Sequence, residues 1–184
     1  MLILILYLSA VLLLLLFLIS MSVYTLSLIY SSMKGSPYVA TRKQTTKEIL
    51  KGVPLKKGKL FVELGSGDGR IVRTAARLYK IKGIGVDVNP LLVFWSGFLS
   101  RLDGTRKDVA FYKKNIFETD LTKADYVYIF LMPKLIEELT VKMDKEVKKG
   151  ATVISHGFPI KVWKNKLFKK VDRSPFPTYY YKVK

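Results

Sequence analysis

The sequence predicts an α/β fold: a mostly parallel sheet with helices on both faces, closed by a C-terminal antiparallel hairpin and preceded by one transmembrane helix. Three observations carry this expectation. Between residue 60 and about residue 155, short apolar runs of strand length alternate with helical stretches, the order in which strand–helix–strand units build a parallel sheet. Two further β-like pieces, about 166–171 and 178–183, flank Ser174-Pro175-Phe176-Pro177 and read as a hairpin. Ahead of them, residues 2–19 are almost wholly aliphatic, with Tyr7 and Ser9 the only hydroxyls, and no charged side chain occurs before Lys34.

About 20 apolar residues span a bilayer, so the first segment is long enough, and Tyr24 and Tyr30 stand where an interfacial aromatic belt would. A cleaved signal peptide would need a basic residue before a short core of about 7–15 residues, and neither is present. Lys34, Arg42, Lys43, Lys47 and Lys51 follow the apolar run closely, which by the positive-inside rule puts the remainder in the cytoplasm. The expected organisation is a membrane anchor at 1–33, a pre-domain segment with a short helix at 34–52, and one folded domain at 53–184. The expected location is the cell membrane, single-pass.

All 32 basic and all 14 acidic residues lie from Lys34 onward, giving a net charge of +18. Such a balance suits an RNA-binding face, attraction to anionic lipid, or a lysine-rich proteome; for a tethered domain, a basic face on anionic headgroups is the economical reading. The absence of Cys excludes disulfides, thiolate-held metals, iron–sulfur clusters and any chemistry needing a Cys nucleophile. No metal site is expected.

The elements follow in order. Phe61-Val62-Glu63-Leu64 reads as a buried strand ending near a carboxylate, and Gly65-Ser66-Gly67-Asp68-Gly69 then turns into a helix over 71–79. Glycines at alternate positions let a ligand approach the backbone and allow φ > 0. A dinucleotide fingerprint would require glycine at position 70, where the chain has Arg70. The next apolar run, 81–86, ends in Asp87-Val88-Asn89-Pro90, a carboxylate placed to accept from both hydroxyls of a ribose. Pro90 suits the first turn of a helix to Leu102, with Asn89 as its N-cap. A third run, 109–112, leads to Asn115-Ile116, a polar stop suited to an adenine edge. Then come a strand at 125–131, a helix opened by Pro133 and stopped by Gly150, and a strand at 151–155.

The pattern E-x-G-x-G-x-G over Glu63–Gly69 resembles the first motif of the class I, seven-strand S-adenosylmethionine-dependent methyltransferases, which have a Rossmann-like sheet. The resemblance implies S-adenosyl-L-methionine as cofactor and S-adenosyl-L-homocysteine as product. It also implies a binding set of Glu63, Gly65, Ser66, Gly67, Asp68, Gly69, Asp87, Val88, Asn115 and Ile116. Pro37-Tyr38-Val39, Ile129–Pro133 and Phe158-Pro159 with Trp163 resemble a narrower, membrane-linked branch, the adenine nucleotide translocase and ATP synthase c-subunit lysine methyltransferases with their prokaryotic relatives. Against that branch, Asn115 replaces an Asp, Ala40 a second proline, and His156-Gly157 a Cys-Arg pair.

The branch implies methylation of lysine ε-amines on proteins, with integral membrane proteins as partners and a pocket formed by Tyr38, Phe130 and Pro133. No polar residue occupies the end of the fourth strand, where base-amine methyltransferases carry [DN]-P-P-[YF]. That argues against a nucleic-acid base as substrate and leaves ribose 2′-O-methylation open. The alternatives are therefore a basic, membrane-tethered RNA methyltransferase and a non-catalytic scaffold. His156 reads as structural or as a rim residue.

Overall fold

The computed structural model describes residues 1–184 and divides into two compact units, Met1–Tyr38 and Val39–Lys184. The first unit is built on helix α1, Leu2–Met33, whose apolar side chains are exposed along its length. At about 1.5 Å per residue, its 32 residues reach about 48 Å, beyond the ~30 Å hydrocarbon core of a bilayer. Four of its hydroxyls are satisfied within the helix: Ser9, Ser20, Ser22 and Thr25 each donate to a carbonyl three or four residues back, at 2.8–2.9 Å. By length and composition, this is a helix able to cross a membrane.

The second unit is a seven-stranded sheet of order β3-β2-β1-β4-β5-β7-β6. Its elements are α2 Lys43–Lys51, β1 Leu60–Leu64, α3 Arg70–Tyr79, β2 Lys82–Asp87, α4 Pro90–Leu102, β3 Val109–Lys113, β4 Tyr126–Ile129, α5 Pro133–Glu146, β5 Thr152–His156, β6 Leu167–Val171 and β7 Thr178–Lys182. The first five strands are parallel, and β7 pairs antiparallel with both β5 and β6. This is the predicted class I methyltransferase architecture.

Alternation along the strands sorts the core into two layers. Val62, Leu64, Val127, Ile129 and Val153 join Ile136, Leu139 and Met143 of α5. Phe61, Tyr126, Tyr128 and Ile154 join α2 and α3 through Ile49, Leu50, Ile71 and Val72. α2 is held to the far end of the sheet as well. The Tyr180 hydroxyl donates to the Ile49 carbonyl at 3.1 Å, and a Cβ on Gly52 would lie 2.3 Å from the Tyr180 ring.

Two predicted elements are shorter than expected. The strand over 125–131 is confined to Tyr126–Ile129, and the helix opened by Pro133 ends at Glu146 rather than at about Lys149, because Val147 turns extended and buries its side chain at 5% exposure. Gly150 instead takes φ 81 in the turn before β5, where its amide donates to the Val183 carbonyl at 2.8 Å.

Candidate active site

Strand order reverses on either side of β1 and β4, which makes the carboxyl ends of those strands the crevice where open α/β sheets bind ligands. The loop from Gly65 to Gly69 leaves β1 there. Gly65, Gly67 and Gly69 have φ of 73, 53 and 71, a left-handed conformation that other residues adopt only with strain. Space is equally restrictive: a Cβ on Gly65 would stand 2.9 Å from Leu131, and one on Gly69 would stand 2.3 Å from the Phe111 ring.

Two carboxylates brace the turn from β1 into α3, one on the helix and one on the loop. Glu63 is 3% exposed and accepts from the Val72 amide at 3.0 Å, placing an acid on the positive end of α3. Burial raises its pKa well above the usual carboxylate range, the Val72 amide opposes this, and Asp68 and Asp87 add to the rise. Asp87, at the end of β2, accepts from Gly67 through Oδ2 at 2.8 Å and from Asn89 through Oδ1 at 2.9 Å. Burial raises its pKa too, against those amides. Beside the amides of Gly67, Asn89 and Val88, a carboxylate's roughly four acceptor sites leave one for a hydroxyl donor. Asn89 caps α4, its Oδ1 accepting from Leu91 and Leu92.

Asp68 is taken up by a partner that the sequence did not disclose. Arg70, at the position where a dinucleotide site has glycine, pairs with both Asp68 oxygens, and its Nη1 donates to the Thr41 carbonyl. The loop is thereby tied to the segment before α2. Nothing in the residue pattern signalled Thr41, whose part is played by a backbone oxygen.

The other predicted residues divide. Val88 is half-buried beside Asp87. Ser66 turns its hydroxyl inward, 2.9 Å from where a Gly85 Cβ would stand, and that buried oxygen has no protein partner. Asn115 is exposed and caps a short 3-10 turn by accepting from the Phe117 amide at 3.1 Å. Ile116 is 7% exposed, its side chain packed within the α5-side core.

At the end of β4, Phe130 and Met132 are partly open and Pro133 occupies the first turn of α5. Phe130 meets His156 edge-on at 4.7 Å and Phe176 at 5.2 Å. His156 is 3% exposed, and its Nδ1 lies 2.9 Å from the Thr178 hydroxyl. Burial lowers its pKa to about 4, Arg173 adds to the drop, and the Pro177 carbonyl pulls the other way. Phe176 and Arg173 come from the hairpin connection, whose return to this site no local pattern announces. Tyr38 ends the first unit.

The cradle suits S-adenosylmethionine. It has glycine backbone where a ligand must come close, a strand-end carboxylate with a spare acceptor site, and no room for side chains in between.

Known proteins agree with this geometry. A protein-lysine N-methyltransferase of Saccharolobus islandicus is 33% identical over 137 residues, covering 74% of this chain and 85% of that protein. The ATP synthase c-subunit lysine N-methyltransferase of Xenopus laevis is 32% identical over 127 residues, 69% of this chain but only 55% of the frog protein. The chain thus spans about half the length of that vertebrate relative. Among solved structures, an RNA methyltransferase from Salinibacter ruber bound to S-adenosyl-L-homocysteine superposes with a TM-score of 0.75 at 28% identity, over 79% of this chain and 94% of that one. Residues 63–167 match the family described as the ANTKMT methyltransferase domain. The chain belongs to that family of S-adenosylmethionine-dependent methyltransferases.

Proposed function

We propose that the protein is a membrane-anchored methyltransferase that acts on lysine ε-amines of membrane proteins, with its catalytic domain on the cytoplasmic side. The observation that carries this reading is the apolar end of β4. Leu131 packs against Gly65 of the glycine loop, and its neighbours along the chain at this strand end, Phe130, Met132 and Pro133, carry no polar side chain. Lysine N-methyltransferases from an archaeon and a vertebrate are the named relatives that support it.

Bound S-adenosylmethionine supplies a sulfonium methyl; as the N–C bond forms, the C–S bond breaks and the sulfur keeps the bonding pair. In this reading Glu63 and Asp87 set the loop, Asp87 also accepts from the ribose, and Asn115 meets the adenine edge through its amide. The incoming amine must be neutral, yet a free lysine has a pKa of about 10.4. An apolar, water-poor approach past Phe130 and Pro133 favours the neutral amine, because burial disfavours ammonium. Positioning then contributes much of the rate without a dedicated base. His156, covered and with its pKa near 4, is a poor acceptor for the ammonium proton. Tyr38 is proposed as a substrate-side residue on its sequence neighbourhood alone.

Tritium transfer from labelled cofactor into isolated membranes, with and without RNase, tests the reading. Label should appear as methyllysine in RNase-resistant membrane bands. Phe130→Ala should lower turnover while leaving S-adenosylhomocysteine affinity within about 1 kcal/mol. Label lost on RNase treatment would favour the second reading, an RNA substrate, for which the Salinibacter ruber protein and the +18 charge speak.

A further inference from the structure

Helix α4 is inverted relative to an ordinary surface helix. Toward the sheet it buries Leu92 and two serines, Ser96 and Ser100, whose hydroxyls turn back onto the Val93 and Gly97 carbonyls at 2.8 Å. Away from the sheet it presents Phe94 at 71% exposure, Trp95 at 46%, Phe98 at 41% and Leu102 at 69%. Spacings of three, four and eight residues put these on one face, and the Trp95 and Phe98 rings stack at 5.3 Å. The apolar stripe that a globular helix turns to its core here points outward.

The charge around this face has one sign. Arg101, Arg106 and Lys107 are all exposed. The two acids of the region are already engaged, Asp103 by Arg73 and Asp108 by Lys82. A groove of about 360 Å³ alongside is lined by Val93, Phe94, Phe98 and Phe111 together with Arg101 and Arg106, apolar wall and guanidinium in one depression.

We propose that α4 lies in the plane of an anionic lipid surface, its aromatic face in the headgroup–acyl boundary and Arg101 and Arg106 on lipid phosphates. Its 13 residues reach only about 20 Å, too short to cross a core of about 30 Å, so the helix lies along the surface. Trp and Phe beside Arg are the composition of an interfacial helix, and each basic residue near an anionic surface adds attraction. A second copy docking through the same face would set these cations against their own equivalents, which is unfavourable. The inference rests on the proposed anchor, which would hold the domain at a bilayer throughout its life.

Trp95 reports on this directly. The chain has two tryptophans, and Trp163 is buried at 1% exposure. The full chain is reconstituted into vesicles of phosphatidylcholine alone or of equal parts phosphatidylcholine and phosphatidylglycerol, with bromine on the upper acyl carbons, and the same samples are floated. In the anionic vesicles, tryptophan emission should shift to the blue and fall by roughly half, the share of one residue in two, with a much smaller loss in phosphatidylcholine. Trp95→Phe should abolish the quenchable part, and Arg101→Glu with Arg106→Glu should restore emission. A chain that floats while Trp95 stays bright overturns the proposal and leaves the anchor standing. Quenching in anionic vesicles by a chain that alkaline carbonate then strips from them supports the proposal and overturns the anchor. A blue shift without bromine quenching means that protein covers the face, and the lipid assignment falls.

Discussion

Asp87 spends both carboxylate oxygens on backbone amides of the loop it is proposed to complete, so its removal acts twice. Asp87→Ala should weaken S-adenosylhomocysteine binding, read by calorimetry, by about 1.5–3 kcal/mol, the worth of hydrogen bonds to a charged group. It should also lower the melting temperature of the free protein, since Gly67 and Asn89 lose their acceptor. An affinity equal to that of the parent would end the ribose assignment. Protonation of the buried groups runs in two opposed directions. Glu63 and Asp87 have raised folded pKa values, so their contribution to stability is greatest below the unfolded carboxylate range and is lost as pH rises through the folded values. His156 is depressed to about 4, so the unfolded chain takes up its proton first and stability falls as pH drops from about 6.5 towards about 4. His156→Gln should remove up to about 3 kcal/mol of that pH dependence, seen as urea midpoints that lie below the parent's near pH 7.5 by the packing cost and close on them as pH falls towards about 5.

Glycines show how element geometry decides the sign of one substitution. At Gly97, inside α4, a Cβ meets nothing within 4 Å, so Gly97→Ala should raise stability by about 0.5–1 kcal/mol. Gly69, at the mouth of α3, has φ 71 and the Phe111 ring in the way, so Gly69→Ala should cost about 1–2 kcal/mol in strain alone and abolish cofactor binding. Thermal midpoints of the two variants should move in opposite directions. The contrast also marks what a sequence discloses. The Gly65–Gly69 loop and the Asp87 stop were legible because strand ends and left-handed turns restrict residue type. The Asn89 cap and the Pro90 start were legible for the same reason. The face of α4 that meets the sheet was not, since its apolar residues give no hint that serines would be buried in their place. Phe176 against Phe130 and Arg70 on Thr41 were illegible too, because both join distant segments through contacts without a local pattern.

For the whole molecule, the asymmetry of charge about α1 makes topology the decisive measurement. A reporter fused after the exposed Lys184 should be active in the cytoplasm and silent outside, and the chain should be recovered from membranes at full length; a shortened, membrane-free product would indicate a cleaved signal. Removing residues 1–34 should depress methylation of membrane targets far more than cofactor affinity, because tethering acts through local concentration. The position of β7 has a further consequence, for biosynthesis. It lies inside the sheet between β5 and β6, and through Tyr180 it also grips α2. A ribosome delivers the chain at about 5–20 residues per second, so α1 emerges and can be captured by the insertion machinery well before Lys182 is made. During that interval β5 is an open edge and the α2 groove lacks its tyrosine. Under the proposed anchoring, the nascent domain therefore waits at the membrane, unfinished and exposed to chaperones and proteases.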